Sequence, residues 1–547
     1  MAKSLSTVAQ SGSLDEEQDQ VEPMDPKAMD RPNSSHPARS LSVLDATSII
    51  VGTIIGAGIF HIPQWVAGEV DSLGMFLGIW VVGGLLAFTG ALCFAELTTA
   101  YNEDGGDYVY LRESCGHFVS FQYAWITGWI IRPANMAAMA ITFALFGREA
   151  SESLQTWGVF LLAAYGVSLL AVVNLVGIQA GKWSQNLLTV CKVAGLLLIC
   201  LIGSLPTFSS EHDATMVSSP TASVAGPDGQ ETSAGEPLDS DKATTAAEKA
   251  AESVPTKSAP KNWSVLLSGL LMALVFVMYS FGGWNDIAFV AAEIREPNRN
   301  LPRALFLGLA IVTVVYLYIN FVLVMNLGLG GLASTANAPA QMLQIKLDGI
   351  GWGDWSGPVR GLLGILVGVS CLGAINAMLI TSPRIYYAAG QQHPWFRIFA
   401  NWNVETQVPR AAIVAQWLAT IVLLAACSGM TGPLEQWLPE NWRVFKSENP
   451  FDELVSVSAP FFWGFLTMVV LGQIWLRFKD PHRPRPIKTW CFPVPNLLFA
   501  IASAFMVYRS AEYVWAQQYL VSGGIVLVVF VTGLILGLLS RAMKYEI

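Results

Sequence analysis

About twelve long apolar blocks, separated by polar segments, constrain the fold of this chain more than any other feature. Each block is long enough to cross the roughly 30 Å hydrocarbon core of a bilayer as a helix. The 547 residues are 53% hydrophobic and 13% charged, with a mean hydropathy of +0.48, which excludes an ordinary soluble domain. The blocks lie near residues 43–68, 74–99, 117–146, 157–176, 184–204, 263–293, 304–328, 359–382, 410–428, 456–476, 491–510 and 518–540. The sequence therefore predicts an all-α polytopic membrane protein.

Polar stretches divide the chain into five expected parts. Residues 1–42 and 205–262 are rich in Ser, Pro and acidic residues, so both are expected to be disordered. Lys and Arg are concentrated in alternate connecting segments, which the positive-inside rule places in the cytoplasm. We therefore expect a multi-pass protein of the cell membrane with both termini cytoplasmic. The parts are a cytoplasmic tail at 1–42, a five-helix repeat at 43–204, an external low-complexity loop at 205–262, a second five-helix repeat at 263–476, and helices 11 and 12 with a short cytoplasmic C-terminus at 477–547.

Two glycine-rich stretches interrupt apolar blocks where an unbroken helix would otherwise be expected. The first is GTIIGAGIF at 52–60, and the second is YSFGGWN at 279–285. Glycine can leave helical φ/ψ without a Cβ clash, and irregular backbone inside a membrane persists only where protein or a ligand satisfies it. An alternative for the first stretch is a GxxxG helix-packing face formed by Gly52 and Gly56. That alternative does not explain the second stretch, so the pair predicts the binding site of a transporter.

The positions of the two breaks also predict a repeat. If the first and sixth blocks are equivalent, the first ten spans divide into two sets of five. An odd number of spans turns the second set upside down, which gives the LeuT-type 5+5 inverted repeat with broken helices 1 and 6. The eleventh and twelfth spans would then lie outside the repeats.

Several ordered motifs resemble one known family. GTIIGAGIF with Pro63 and FGGWND followed by EIREPNRNLPRA are similar to the amino acid–polyamine–organocation superfamily, and within it to the L-type amino acid transporters, as a bacterial-type member. Further similarity lies in GGDYVYL at 105–111, IIRP at 130–133, SCLGAINAMLITSPRIYY at 370–387 and IWLR…RPRPIK at 474–488. The resemblance covers most of residues 43–540. It implies a sodium-independent transporter of neutral L-amino acids.

The resemblance also implies where substrate binds. Backbone at the first break would hold the substrate carboxylate, through Ile54, Gly56, Ala57 and Gly58. Backbone at the second break would hold the α-amino group, through Tyr279, Ser280 and Gly282, with Tyr279 as the gating aromatic. Met139 would line an apolar compartment for the side chain. Asn285 and Trp463 would serve in gating or coupling, with Asn376 near the cavity.

Lys192 is the most informative charge in the apolar blocks. It lies roughly nine residues into the fifth span, about 13 Å along a helix. An intramembrane lysine costs at least about 2.5–3.5 kcal/mol on insertion scales and suggests a function. In the family that the chain resembles, a lysine here replaces a bound sodium ion, and we expect it to reach the Gly58 region. The alternative is a lysine that snorkels to the membrane surface.

Other charged residues receive weaker predictions. Arg132 in the third span is expected to be structural and paired with an acidic residue such as Glu96. Gly282 carries no side-chain charge, which favours neutral substrates, although Asp286 one turn later leaves a cationic substrate open as an alternative. His61 is expected to be structural. The acidic group after the second span is expected to be solvated, and it consists of Glu103, Asp104 and Asp107.

The sequence gives no motif for a metal, a cofactor or a disulfide. The seven cysteines fall within or beside apolar blocks and are expected to be small packing residues. The loop GREASESLQTW at 147–157 lacks the cysteine through which animal L-type transporters bond to a glycoprotein, so no disulfide-linked heavy chain is expected. Alternative functions are an amino acid sensor with a transporter fold and a cationic amino acid transporter. An enzyme would need a catalytic motif, which the sequence does not provide.

Overall fold

The computed structural model describes residues 37–149, 156–206, 263–335, 337–427, 450–517 and 520–544. Their regular structure is helical throughout. The α-helices are α1 (Val43–Ile54), α2 (Gly58–Gly68), α3 (Leu73–Ala100), α4 (Asp107–Cys115), α5 (His117–Ile126), α6 (Arg132–Glu149), α7 (Thr156–Val176), α8 (Ile178–Ser204), α9 (Trp263–Ser280), α10 (Pro297–Ser334), α11 (Ala338–Gly349), α12 (Ser356–Thr381), α13 (Pro383–Gly390), α14 (Arg410–Cys427), α15 (Pro450–Lys479), α16 (Val494–Ala516) and α17 (Leu520–Lys544). Short 3₁₀ segments cover Trp284–Glu293, Gly353–Trp355 and Pro394–Phe399, and a π-helical turn covers Thr127–Ile131.

The predicted membrane spans are present as helices. Ten helical segments of the described chain are long and apolar enough to cross a bilayer, and α1 with α2 add one span bent by 49°. The apolar α14 is shorter over its described part. Helices satisfy every internal peptide group within one segment, which is the requirement that a hydrocarbon core imposes. The prediction of an all-α polytopic membrane protein is confirmed.

Both predicted breaks interrupt their spans. α1 ends at Ile54 and α2 begins at Gly58, so residues 55–57 form the first break. α9 ends at Ser280, a turn covers 281–283, and the chain continues as 3₁₀ helix from Trp284. The carbonyl ends of α1 and α9 and the amide end of α2 therefore lie inside the bundle.

The packing brings corresponding spans of the two halves together. α6, the third span of the first half, packs on α12, the third span of the second half. α1 packs against α8, α10, α12 and the 3₁₀ segment Trp284–Glu293. The two broken spans thus lie side by side at the centre of the bundle, as the LeuT-type arrangement requires. The repeat bounds at 43–204 and 263–476 stay predictions.

One end of the bundle is closed by backbone pairing between the two broken spans. Leu41, just before α1, donates its N–H to the carbonyl of Glu293 at 3.0 Å and accepts from the N–H of Arg295 at 2.9 Å. Ser42 then caps α1 in a reciprocal capping box with Asp45. These contacts fix the start of the first span against the end of the second broken span.

Two sequence expectations lie outside the described residues in whole or in part. Residues 1–36 of the predicted tail and residues 207–262 of the predicted loop are not described. The short helices α4, α11 and α13 were not predicted, because they lie in segments too polar or too short to count as apolar blocks. Of the six cysteines whose burial is described, Cys93, Cys200 and Cys371 are buried packing residues as expected, whereas Cys115, Cys191 and Cys491 are exposed.

Candidate functional site

A cavity lies between the two breaks. The empty space between the atoms that line it is about 850 Å³, which includes the part open to solvent. Backbone at both breaks forms one side, and α6, α12 and α15 form the rest. The lining residues are Thr53, Ile54, Gly56, Gly58, Arg132, Asn135, Met139, Tyr279, Ser280, Gly282, Gly283, Asp286, Ala374, Met378, Ser458, Ala459, Phe462 and Trp463.

Most of the site residues predicted from the sequence line this cavity. They are Ile54, Gly56, Gly58, Met139, Tyr279, Ser280, Gly282 and Trp463. Ala57 is buried at the break but is not part of the wall. Asn285 and Lys192 lie behind the wall, and Asn376 bonds instead to Gln185, Gly181 and Asn174 on α7 and α8. The structure thus brings eight of the predicted residues together around one space.

The two helix ends at the breaks are held by one tyrosine that sequence reasoning missed. The hydroxyl of Tyr316, in α10, lies 3.1 Å from the carbonyl oxygen of Ile54 and 3.3 Å from that of Ser280. Its ring packs edge-on against Trp80. A hydroxyl has one proton to donate, so the two carbonyls share it. The only sequence signal was a tyrosine within an apolar span, where its hydroxyl must find a partner.

Lys192 fastens the first break to α12. Its side chain is fully buried, and its ammonium donates to the carbonyls of Gly52 at 3.0 Å, Ile55 at 2.8 Å and Ser370 at 3.1 Å. The three donors of the ammonium are therefore matched by three acceptors. The snorkelling alternative is wrong. The expected bridge from the fifth span to the first break is present, but it is made to the carbonyls of Gly52 and Ile55 rather than to Gly58 itself, because carbonyls at the end of α1, rather than amides at the start of α2, attract a cation.

Gly373 makes room for this lysine. A Cβ atom at Gly373 would lie 2.7 Å from the Lys192 Nζ and 2.8 Å from its Cε. Such distances do not occur between a Cβ and a non-bonded atom, so any larger residue would displace the ammonium. The absence of a side chain at Gly373 thus leaves the space that the Lys192 ammonium occupies next to the first break.

Arg132 and Asp286 form a buried ion pair in the cavity wall. The two guanidinium Nη atoms donate to the two carboxylate oxygens, each at 2.6 Å, in a bidentate pair. The Arg132 side chain is 4% exposed and the Asp286 side chain 0%. The π-helical turn at Thr127–Ile131 ends directly before Arg132, and such turns are frequent at functional sites.

The predicted pairing of Arg132 with Glu96 is therefore wrong. Glu96 accepts from the guanidinium of Arg477 at 2.8 and 2.5 Å, and from the backbone N–H of Thr489 at 2.7 Å. The Nε atom of Arg485 lies 3.4 Å from the Oε1 atom of Glu96. Glu96 is near the end of α3, level with the polar segment after α15, whereas Arg132 follows the middle of its span. Depth in the membrane separates the two residues.

Between the cavity and the end of the bundle near Leu41, two buried carboxylates hold the second broken span. Asp107 accepts from the Asn285 amide at 3.0 Å and from the Tyr123 hydroxyl at 3.3 Å. Asp104 accepts from the backbone N–H of Ala292 at 3.2 Å. Both aspartates are buried, so the expectation of a solvated acidic surface is wrong for them, and it is correct only for the half-exposed Glu103.

Burial changes the acidity of these two loop aspartates. It raises the pKa of Asp107 to about 7, against a smaller opposing effect of the Arg132 charge. Burial, together with the nearby Glu293 charge, also raises the pKa of Asp104 well above its ordinary value. Folding therefore favours the protonated form of both groups, relative to the unfolded chain.

This acidity predicts a pH dependence of stability. A carboxyl group whose pKa rises on folding stabilises the protein fully below its unfolded pKa, and that contribution is lost as pH rises through the folded value. For Asp107 the loss amounts to up to about 1.4 kcal/mol per pH unit between roughly pH 4 and 7. We expect the melting temperature in detergent to fall between pH 5 and pH 8, and Asp107→Asn to flatten that slope. Fluorescence-detected size-exclusion chromatography after heating measures it.

The half-exposed neighbour Glu103 supplies the control. Glu103→Gln removes a carboxylate from the same loop but not from the buried cluster, so the slope should remain. An unchanged slope in Asp107→Asn, or a slope lost equally in Glu103→Gln, would contradict the assignment.

Within the described residues, no group of three or more His, Cys, Asp and Glu side chains could hold a metal ion. His61 lies beyond the first break, in ring contact with Phe146 at 6.0 Å between centroids. The polar groups that converge on the cavity are thus backbone amides and carbonyls at the breaks, one ion pair, and a few hydroxyl and amide side chains.

Comparison with known proteins agrees with this geometry. The sequence matches the amino acid permease family over residues 41–538. It is 29% identical to large neutral amino acids transporter small subunit 2 of Mus musculus, over 90% of this chain and 80% of the relative. It is 26% identical to b(0,+)-type amino acid transporter 1 of Mus musculus, over 90% of this chain and 88% of the relative. It is 27% identical to the cystine/glutamate transporter of Homo sapiens, over 86% and 80%.

The family match extends from the residue before Ser42 to the last span, and so includes both breaks and the whole cavity wall. The relatives named above are transporters, in agreement with a chain that carries a central cavity among membrane spans. The resemblance inferred from the motifs is confirmed. The chain belongs to the amino acid permease family, and it is a multi-pass membrane transporter of amino acids.

Proposed function

We propose that this protein transports neutral L-amino acids with large, branched or aromatic side chains across the cell membrane, without sodium, by alternating access. The observation that carries the proposal is the cavity at the two helix breaks, in which the two side-chain charges of the wall neutralise each other. Substrate class, ion requirement and the residues that bind substrate are all part of the proposal.

The breaks offer complementary groups to the two charges of an amino acid. α2 begins at Gly58, and the first N–H groups of a helix have no carbonyl of their own helix to bond. They and the positive end of the helix dipole suit a carboxylate. The carbonyl end of α9 at Ser280 suits the ammonium group, whereas the carbonyl of Ile54 at the end of α1 already accepts from the Gly56 N–H and the Tyr316 hydroxyl. Binding through backbone at Gly56, Ala57, Gly58, Tyr279, Ser280 and Gly282 follows from this placement.

The rest of the wall suits an uncharged side chain. Met139, Met378, Phe462 and Trp463 present apolar surface, and the small Ala374 leaves space. Each methylene buried here gains about 0.8 kcal/mol. Asp286, which left a cationic substrate open, is bound by Arg132 and offers no free charge. This pairing favours the neutral substrate over the cationic alternative.

Lys192 supports transport without sodium. In transporters with broken helices, unwound carbonyls coordinate the coupling cation. Here the carbonyls of Gly52, Ile55 and Ser370 converge on the ammonium of Lys192 instead. A fixed charge of the protein then does what a sodium ion would do, and no ion needs to bind before the substrate.

Alternating access would require the end of the bundle near Leu41 to open. Contacts along the 3₁₀ segment close that end, in layers from the cavity outward: Asp286 with Arg132, Asn285 with Asp107, and Glu293 with Arg384. With the N-terminus in the cytoplasm, this is the cytoplasmic end. We propose that substrate enters from the opposite side in this conformation and leaves after these layers separate. Tyr279 and Trp463, which line the cavity, are the proposed gating aromatics.

A competition experiment tests the substrate class. Leucine, isoleucine, methionine and phenylalanine should inhibit uptake of labelled leucine into proteoliposomes at least about tenfold more strongly than lysine or glutamate, because a charged side chain would lose hydration without gaining a partner. Uptake with choline replacing sodium should be unchanged. Preloading the vesicles with leucine separates exchange, which it stimulates, from proton-driven uptake, which a pH gradient stimulates. Lysine as the strongest competitor would assign a cationic transporter.

We also propose that the protein works without a disulfide-linked partner. The loop at 147–157 has no cysteine. Transport by the purified chain alone in proteoliposomes would support this, and transport only after addition of a second protein would contradict it.

A further inference from the structure

The ion pair in the cavity wall differs from the other buried pairs of the described chain in its location. Arg132 and Asp286 both line the cavity, whereas the equally buried Arg384–Glu293 pair does not. The two pairs are chemically alike, since Arg384 donates to the two oxygens of Glu293 at 2.7 and 3.1 Å. The Arg384–Glu293 pair is therefore a reference that differs from the Arg132–Asp286 pair mainly in lying away from the cavity.

A buried ion pair is weak evidence for stability. Desolvation of the two charges offsets much of their attraction, and an apolar replacement is often neutral or stabilising. Ionisable residues inside a membrane therefore suggest a function. The Nε atom of Arg132 is buried and has no hydrogen-bond partner in the structure, so the pair does not satisfy the guanidinium completely. The chain keeps an expensive and incompletely satisfied pair in the wall of the substrate cavity.

We propose that the Arg132–Asp286 pair is the specificity determinant that keeps the side-chain compartment electrically neutral, so that both acidic and basic amino acids are excluded. The inference rests on the proposed function. The positive charge of Arg132 is already balanced by Asp286, which accepts from both Nη atoms, so an acidic side chain would have to compete with Asp286 for it. A basic side chain would likewise have to compete with Arg132 for the charge of Asp286. The site would thus discriminate against both classes, because a charged side chain would be left in the cavity without a partner.

Removing one partner should therefore shift the preference of the site for substrate charge in a known direction. Asp286→Asn leaves the charge of Arg132 unpaired, and the side chain of glutamate or aspartate can neutralise it. Arg132→Gln leaves Asp286 unpaired, and the side chain of lysine or arginine can neutralise it. A buried charge without a partner is strongly unfavourable, so the ligand that supplies the partner gains most.

Two other charges lie near the pair. Asp107, which is bonded to Asn285, is within electrostatic reach of both partners, since the Arg132 charge lowers its pKa and the Asp286 charge raises it. Lys192 is bound to three carbonyls behind the first break. Each single substitution therefore changes the charge of the wall by one unit. The protonation of Asp107 offsets part of that change, which weakens the expected shift in preference without reversing its direction.

The experiment measures competition profiles of leucine, glutamate and lysine for the wild type, Asp286→Asn, Arg132→Gln and the double variant. Thermal stabilisation of the purified proteins by each amino acid gives a second readout that does not require transport. Relative to leucine, glutamate should gain about tenfold or more in affinity in Asp286→Asn, and lysine in Arg132→Gln. The double variant should return to the wild-type order. Folded single variants that keep the wild-type order, or lose all three ligands equally, would overturn the inference.

Two further variants serve as controls for loss of folding and for general loosening of the structure. Arg132→His retains a cationic partner for Asp286 when the imidazole is protonated and loses it at higher pH. It can be purified at pH 5.5, and its affinity for lysine relative to leucine should rise at pH 8. Glu293→Gln breaks the matched pair away from the cavity, which also belongs to the proposed closing layers. It should lower stability and overall uptake but leave the affinity ratios unchanged. Equal changes of the ratios in Glu293→Gln would assign the effect to general loosening and overturn the inference.

The wild type separates the two proposals. Absence of leucine transport by the wild type would reject the proposed function itself. Leucine transport by the wild type, with an unchanged substrate order in every folded variant, would reject only the role of the ion pair.

Discussion

Replacing Lys192 by methionine is expected to lower transport by about 100-fold or more while the protein still reaches the membrane. The ammonium satisfies three buried carbonyls, at Gly52, Ile55 and Ser370. A buried acceptor left without its donor costs about 1–3 kcal/mol, and about 2.7 kcal/mol corresponds to 100-fold. Methionine fills a similar volume but donates no hydrogen bond. The first break would lose its attachment to α12, and the backbone groups proposed to bind the substrate would lose their positions.

The measurement compares initial uptake of labelled leucine into proteoliposomes at equal protein content. Lys182→Met provides the matched control, because Lys182 lies on the same helix but away from the breaks, where it donates to the Ser40 carbonyl at 3.3 Å and lies 3.6 Å from the Asp45 carboxylate. Its uptake should stay within about threefold of the wild type, because neither contact involves the proposed binding groups. Uptake by Lys192→Met at the wild-type rate would contradict the role of Lys192. Wild-type uptake that stops in choline would contradict sodium independence.

The sequence was sufficient to locate the breaks and the buried lysine. Glycines at 52–58 and 282–283 mark backbone that can leave the helix, and the depth of Lys192 within its span follows from counting residues. The position of the glycines and the depth of Lys192 are local properties, which can be read directly from the order of residues. Eight of the predicted residues consequently meet at one cavity.

The partners of the intramembrane charges could not be predicted in the same way. Arg132 pairs with a residue 154 positions away, and Arg477 pairs with Glu96 across 381 positions. A charge in a membrane needs a partner, but the sequence does not tell which helices are neighbours. The buried state of Asp104 and Asp107 was missed for a related reason. Their loop folds beneath the second broken span, and a short polar segment gives no sign of such packing.

Tyr316 illustrates a third limit. Its hydroxyl lies between the carbonyls of Ile54 and Ser280, which belong to the two broken spans. Only the tertiary packing of α10 against both breaks gives the residue this position. From the sequence, backbone at both breaks is expected to bind the substrate, whereas the protein already holds the carbonyls of Ile54 and Ser280 through one hydroxyl.

Replacing Gly283 by alanine is expected to reduce leucine uptake by at least about tenfold and to lower the melting temperature. Gly283 has a φ of +101°, and a Cβ there would lie 2.7 Å from the Thr53 Cγ2 atom in the first broken span. The left-handed backbone costs an L-residue about 1–2 kcal/mol, and the overlap costs about 1–3 kcal/mol more. The two breaks touch at this point, so the strain should separate them and deform the cavity between them.

Removing the methyl group that the alanine would strike tests this explanation directly. In the double variant Gly283→Ala/Thr53→Ser the Cγ2 atom is absent, so the overlap is relieved while the backbone strain remains. Uptake and melting temperature should therefore recover in part, and a double-mutant cycle isolates the contact between the two breaks. Gly78→Ala in α3, where no atom lies within 4 Å of the added Cβ, is the matched control and should be neutral or slightly stabilising, because alanine favours a helix. If Gly283→Ala behaved like Gly78→Ala, direct contact between the breaks would have no part in shaping the cavity.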